Sequence, residues 1–220
     1  MNIAIDGPAG AGKSTVAKLV AEKLSYLYID TGAMYRSLTF AALRQRVNLE
    51  NGSELRTLLD TLTIDLKHDS EQVKVFLNNE DITEQIRSNE VTSNVSLVSS
   101  HEEVRTEMVE RQRLLAKVGR AVLDGRDIGT YVLPKAEVKV FLTATVEERA
   151  RRRHEELQAK GLQSDYEQLK IEIARRDELD SSRVFAPLRK ADDAIEIDST
   201  HLTIPEVADA IIDLTKERTV

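Results

Sequence analysis

The chain has 220 residues with 31 Lys and Arg against 38 Asp and Glu, a net charge of −7, and a 41% apolar fraction that suffices for one packed core. The acidic balance, the 4% aromatic content and the absence of Trp argue against nucleic acid as the main ligand, which calls for a basic face and stacking rings. The sequence lacks cysteine, which excludes disulfides, thiolate zinc sites and thiol catalysis.

The chain opens on strand-like Asn2-Ile3-Ala4-Ile5-Asp6, with no basic-then-apolar leader and no apolar run of membrane-spanning length; a cytoplasmic protein without a membrane partner is expected. Lys13 to Leu24 has helical spacing, with Val16, Leu19, Val20 and Leu24 on one side. Tyr26 to Ile29 reads as a second strand, followed by a helix from about Ala33; this rhythm argues for a parallel sheet covered by helices. From about Asn48 to Arg87 the rhythm breaks. Thr63–Lys67 and Val73–Leu77 alternate apolar and polar residues, as half-buried antiparallel strands do, around a polar turn at His68–Gln72. A helix carrying Val104, Met108, Val109 and Leu115 follows, then strands at Ala121–Asp124 and Val138–Leu142. Thr145-Val146-Glu147-Glu148 is a capping-box start. The next segment, Arg149–Lys190, holds 11 of the 31 Lys and Arg residues and almost as many carboxylates, and reads as two helices broken near Gly161. Ala194–Ile197 is a last strand, and Thr203-Ile204-Pro205-Glu206 starts a closing helix.

Gly7-Pro8-Ala9-Gly10-Ala11-Gly12-Lys13-Ser14 matches G-x-x-x-x-G-K-[ST] between a strand and a helix. Glycines let successive amides curl toward phosphate oxygens, and the helix start adds partial positive charge. Lys13 is placed to reach the β- and γ-phosphates, Ser14 to ligate Mg²⁺, and Thr15 adds a second hydroxyl. The motif fits GTPases, transporter ATPases and small-molecule kinases alike. No Asn is followed by Lys, as an N-K-x-D guanine reader requires, and no L-S-G-G-Q-like run occurs, so a kinase is favoured.

Four blocks sharpen this reading: Gly7 to Thr15; Asp30-Thr31-Gly32-Ala33-Met34-Tyr35-Arg36; Asp124-Gly125-Arg126-Asp127-Ile128-Gly129-Thr130; and Arg175-Arg176-Asp177 with Asp180, Arg183 and Ala186-Pro187-Leu188. In order and spacing they resemble the bacterial cytidylate kinase family over essentially the whole chain. The resemblance implies an α/β P-loop NTPase fold: a five-stranded parallel sheet with flanking helices in one domain, 1–220. Its core would be 1–47, 88–148 and 191–220, with an acceptor-binding insert at about 48–87 and a mobile lid at about 149–190. It implies transfer of the γ-phosphoryl group of ATP to CMP or dCMP with Mg²⁺ as cofactor, on a small-molecule enzyme expected to be a monomer; UMP, AMP or another metabolite is the alternative acceptor. Thr31 and Arg36 would hold the monophosphate, and Ser96, Arg105 and Asp127 would face cytosine. Arg176 and Asp180 would contact the sugar, Arg183 the acceptor side of the phosphates, and Arg126 the transferring group.

The chemistry agrees with these residue types. The nucleophile, a phosphate oxygen, is already an anion, so no general base is needed, and positioning with charge neutralisation supplies the rate. The four histidines (His68, His101, His154 and His201) lie outside the blocks and read as surface or local structural residues. Arginine forks suit phosphate. A carboxylate at Asp127 accepts from the cytosine amino group, whereas uracil presents an oxygen there. Other readings stand beside these. Asp127 pairs with Arg126 or Arg105 to hold its loop; Asp124 is a Walker-B-like carboxylate or a turn residue; Tyr26 and Tyr28 are core or strand-end residues. Among Arg149, Arg151, Arg152 and Arg153, one or two reach ATP phosphates and the rest are solvated, with Arg152 and Arg176 the expected catalytic pair beside Lys13 and Arg126. A nucleotide-operated switch that transfers nothing is the remaining alternative, disfavoured by the presence of Arg36, Arg126, Arg176 and Arg183.

Overall fold

The short apolar run Ile3-Ala4-Ile5 is wholly shielded from solvent because both faces of its strand are covered. The computed structural model describes residues 1–68 and 73–218; the polar turn expected at His68–Gln72 lies outside them save for His68, which ends a strand. The chain divides into two units, Met1–Tyr28 with Ala116–Val220, and Ile29–Leu115.

β1 (Asn2–Asp6), in the first unit, is the centre of a five-stranded sheet of order β2-β6-β1-β7-β8, with β2 at Leu27–Asp30, β6 at Ala121–Gly125, β7 at Val138–Thr143 and β8 at Ile195–Asp198; the first unit's bounds include only Leu27 and Tyr28 of β2. β1 pairs in parallel with β6 (Ile5 opposite Asp124) and with β7 (Ile5 opposite Val140), and β7 pairs in parallel with β8. Helix α1 (Lys13–Leu24) packs on the closing helix α8 (Ile204–Glu217). Val16 and Val20 of α1 are buried, while Leu19 and Leu24 are only partly so. Thr203 and Glu206 make both bonds of the capping box at the start of α8.

The expected box at Thr145 is half made. The Thr145 hydroxyl accepts the Glu148 amide, but the Thr145 amide donates to Thr200 Oγ1 and the Glu148 carboxylate is taken by Arg151 and Arg152. Here a charge-assisted pair outcompetes a neutral amide for the carboxylate. The charged segment forms α6 (Val146–Ala159) and α7 (Tyr166–Ser182), broken at Gly161 and packed together through Ala150, Leu157, Leu169 and Ile173.

The second unit holds α2 (Thr31–Gln45), α3 (Gly52–Asp60), an antiparallel sheet of β3 (Ile64–His68), β4 (Val73–Leu77) and β5 (Glu80–Asp81), then α4 (Asn89–Val98) and most of α5 (Glu102–Ala116). The two alternating strands pair as read, with Ile64 opposite Leu77. Sequence periodicity alone does not reveal α3, α4 or the two-residue β5. The β4–β5 turn is Asn78-Asn79, both left-handed (φ 48° and 69°), the conformation a two-residue hairpin demands and Asn tolerates. Helix α2 begins at Thr31, earlier than Ala33, because the Asp30 carboxylate caps it through the Ala33 amide. In α5, Val104, Met108 and Val109 are buried but Leu115 is exposed.

Candidate active site

The phosphate-binding motif leaves β1 at Gly7, whose φ of 148° and whose position against β7 both require glycine: a Cβ there would lie 1.9 Å from the Leu142 carbonyl oxygen. At Gly12 a left-handed residue (φ 89°) opens α1 without any side-chain cap, so the helix start is left for an anion. The Lys13 side chain is buried, and its Nζ donates to the Pro8 carbonyl at 2.7 Å. Burial holds its pKa well below the ordinary lysine value; Arg126 and then Arg176 add to this, while Asp124 and Asp6 oppose it. Asp124, buried at the end of β6, accepts from Ser14 Oγ at 2.7 Å on one oxygen and from the Tyr28 hydroxyl at 2.8 Å on the other. Asp124 is thus a tethered carboxylate at the foot of α1, and Tyr28 is a core residue that orients it.

Around this loop the first unit assembles its cations. Arg126 Nε donates to Asp180 at 2.8 Å, and Asp180 is itself 3% exposed. Burial pushes the Asp180 pKa up, but Arg126, Arg183 and Arg176 together bring it below the ordinary value, so one carboxylate organises three guanidiniums. Arg183 Nη2 donates to the Ala186 carbonyl at 3.1 Å. Asp127 is buried and its charge acts on Asp6, whereas the ion pair of Arg126 runs to Asp180.

The four arginines of α6 separate sharply. Arg149 is 4% exposed and donates to Ala144 O at 2.9 Å, to Ala9 O in the P-loop at 2.9 Å and to Asp177 on α7 at 2.6 Å. Arg152 reaches Ser199 O at 2.6 Å and Glu148 at 2.7 Å, and lies beside Gly12. Arg151 and Arg153 make pairs within their own helix.

In the second unit, Thr31 opens α2, and one turn on Arg36 Nη2 donates to both oxygens of Asp30 at 3.2 and 3.3 Å. A Cβ on Gly32 would sit 3.0 Å from Arg36 Nη1 and 3.2 Å from Asp30 Oδ1. Gly32→Ala is therefore expected to displace Arg36; with Arg36 on the acceptor phosphate, as the sequence resemblance implies, the KM for that acceptor rises several-fold and the KM for ATP does not change, which steady-state kinetics in both substrates checks. Ser96 lies buried on α4, and Arg105 on α5 is 1% exposed, donating to Ser99 O at 3.0 Å with its guanidinium 5.2 Å from the Tyr35 ring centre.

The first unit thus sets Arg126 and Arg176 near Lys13, joins both with Arg183 through Asp180, ties Ser14 to Asp124 and sets Asp127 near Asp6, and the second gathers Thr31 with Arg36 and carries Ser96 and Arg105. Arg152 lies against the start of α1. Sequence reasoning gave no individual role to Asp6, Asp30 or Asp177, and held Arg149 only as one of four arginines on one helix. Asp30 and Asp177 stood in the Asp30–Arg36 and Arg175–Asp177 blocks, a signal that was available; Asp6 carries no local pattern.

The sequence matches the family described as cytidylate kinase over residues 3–217. The chain belongs to the cytidylate kinase family. It is 63% identical to the cytidylate kinase of Halalkalibacterium halodurans over 99% of this chain and 98% of that protein, and 56% identical to the cytidylate kinase of Bacillus subtilis over 99% and 97%. At the level of fold it is similar to the crystal structure of an uncharacterized protein from Eubacterium ventriosum, with a TM-score of 0.53 at 14% identity over 99% of this chain and 98% of that one. Membership in this family fits a site built of amides and cations with no histidine in it.

Proposed function

We propose that this chain transfers the γ-phosphoryl group of ATP to CMP and dCMP, forming CDP or dCDP and ADP. The observation that carries the reading is the gathering of Lys13, Arg126 and Arg176 at a P-loop, in a chain that matches the family along nearly its full length. Two phosphorylated molecules repel one another, and a buried lysine with two partly buried arginines offsets that repulsion once the anions arrive. ATP would sit on Gly7–Thr15, with Lys13 at its β- and γ-phosphates. Arg126 and Arg176 would neutralise the group in transfer, and Arg152 would serve the donor end. Thr31 and Arg36 would hold the CMP phosphate; Asp180 and Arg183 would complete the acceptor side. Ser96, Arg105 and Asp127 would read cytosine. The 48–87 segment would act as acceptor insert and 149–190 as lid, excluding water when both substrates are bound.

Mg²⁺ fits the donor set. Ser14 and Asp124 offer hard oxygens 2.7 Å apart, and among the described residues no group of three His, Cys, Asp or Glu could hold a metal. A cation held mainly by phosphates and water, with one protein hydroxyl, is what Mg²⁺ favours. Ser14 would be that ligand, and Asp124 would orient it; the ion when bound neutralises phosphate charge. No described helix is long and apolar enough to cross a membrane; together with the cysteine-free sequence this supports a cytoplasmic setting.

With purified protein and Mg-ATP, kcat/KM for CMP is expected to exceed that for UMP by about 10²-fold or more, because uracil sets an acceptor against the Asp127 carboxylate. Turnover of UMP or AMP without turnover of CMP would overturn the assignment.

A further inference from the structure

Asp6 ends β1 immediately before the P-loop, and nothing in the transfer chemistry uses it. Its side chain is 4% exposed, and its two carboxylate oxygens accept consecutive main-chain amides, Ile128 at 2.8 Å and Gly129 at 2.7 Å. These are the two residues that follow Asp127. The Asp127 carbonyl in turn accepts the amides of Tyr131 and Val132 at 2.8 and 3.0 Å, closing a single π-helical turn at Ile128–Val132. The peptide group after Asp127 is therefore pinned from both sides, its oxygen by the turn and its nitrogen by Asp6. Gly129 is packed tightly against the same contact: a Cβ there would sit 3.3 Å from Asp6 Oδ2 and 3.2 Å from Lys139 Cδ, so that one of them would have to give way by a few tenths of an ångström.

We propose that Asp6 is the positioning residue for base recognition, fixing the Asp127 backbone so that its carboxylate is presented at one place. This deepens, and rests on, the reading of Asp127 as the group that accepts from the cytosine amino group. Only a carboxylate serves here. It is all acceptor and takes two N–H groups at once, whereas Asn keeps one acceptor and turns its NH₂ against the second amide. A buried N–H left facing a donor forces the turn to move.

Protonation acts in the same sense as the Asn substitution. Burial, opposed by the two amides and reinforced by Asp127, pushes the Asp6 pKa up to about 7, with Lys13 lowering it slightly. The groups that face it are Lys13 from α1, Asp127 from the turn and Lys139 from β7, whose Nζ is paired with Asp193. Because the charged form holds both amides, CMP affinity rises as pH climbs through 7.

The test compares Asp6→Asn, Gly129→Ala and Asp127→Ala with wild type. It reads kcat and KM for CMP and UMP, KM for ATP, CMP affinity by calorimetry, and a melting curve. Gly129→Ala disturbs the same contact from the turn side and leaves the carboxylate in place, so it decides the matter if Asp6→Asn folds poorly. The expected result is a rise of about tenfold in the KM for CMP, a fall of similar size in the CMP-to-UMP ratio, and a smaller change in kcat, for both Asp6→Asn and Gly129→Ala. The wild-type gain in CMP affinity between pH 6 and 8 should exceed that of Asp6→Asn; CMP's own phosphate titrates equally in both. If Asp127→Ala erodes the ratio while the other two variants keep it within about twofold, the positioning role is wrong and base reading stands. If Asp127→Ala leaves the ratio unchanged, base reading fails and the positioning role falls with it.

Discussion

Lys13→Ala is expected to lower kcat by about 10²–10³-fold, the usual cost of removing one preorganised group that meets developing charge. The unliganded protein should be no less stable for the change. The Lys13 ammonium is buried and held below its ordinary pKa first by burial and then by Arg126 and Arg176, which outweigh Asp124 and Asp6, so in the absence of nucleotide its charge is held at a net penalty. Its removal relieves repulsion that binding of phosphates otherwise relieves. The sign follows from linkage. With a depressed pKa in the folded state, the unfolded chain binds more protons, and stability climbs with pH toward the ordinary lysine value of 10.5. Lys13→Ala should lack that slope. Melting curves across pH without nucleotide, beside turnover with CMP and ATP, separate the two effects. Turnover within about tenfold of wild type would remove Lys13 from the catalytic set.

The other large effect is expected at Arg149. Its guanidinium joins three elements: the strand-to-helix link through Ala144 O, the P-loop through Ala9 O, and α7 through Asp177, the residue next to Arg176. Arg149→Ala leaves two buried carbonyls and a carboxylate without this donor, at a cost of about 2–4 kcal/mol in stability. It should also raise the KM for ATP, since the loop that cradles phosphate loses its brace, and lower kcat through the neighbouring Arg176. Arg149→Lys offers a single point charge where a planar fork spans three acceptors, and is expected to recover less than half of the loss. Urea denaturation and ATP-dependent kinetics measure both. A stability change under about 0.5 kcal/mol would show that the brace carries nothing.

Arg149 also shows where reading residues in order stops. Arg149, Arg151, Arg152 and Arg153 look interchangeable on a helix, yet each step turns the side chain by about 100°. One of the four is buried against the P-loop, another lies against Ser199, and two pair with neighbouring glutamates. Which is which depends on how α6 seats its Ala150 and Leu157 against Leu169 and Ile173 of α7, a packing choice made between helices. Asp6 was equally silent: a lone carboxylate ending an apolar strand has no pattern until the turn after β6 brings two amides to it. The Thr145 capping box closed on one side only for a related reason, because competing partners, Arg151 and Arg152, took its glutamate.

The order of residues alone determined the phosphate cradle, the parallel-sheet rhythm and the four blocks that carry the family, since these rest on contiguous residues whose geometry is local: glycines that permit left-handed turns, a helix start, alternating strands. The tertiary structure decided which charges share a neighbourhood. Asp180 draws Arg126 to itself over 54 positions of chain, and Asp6 reaches Gly129 over 123. A hydrogen bond needs its atoms within about 3 Å, and charges act over about 10 Å before salt screens them, so only folding could settle which groups act on one another.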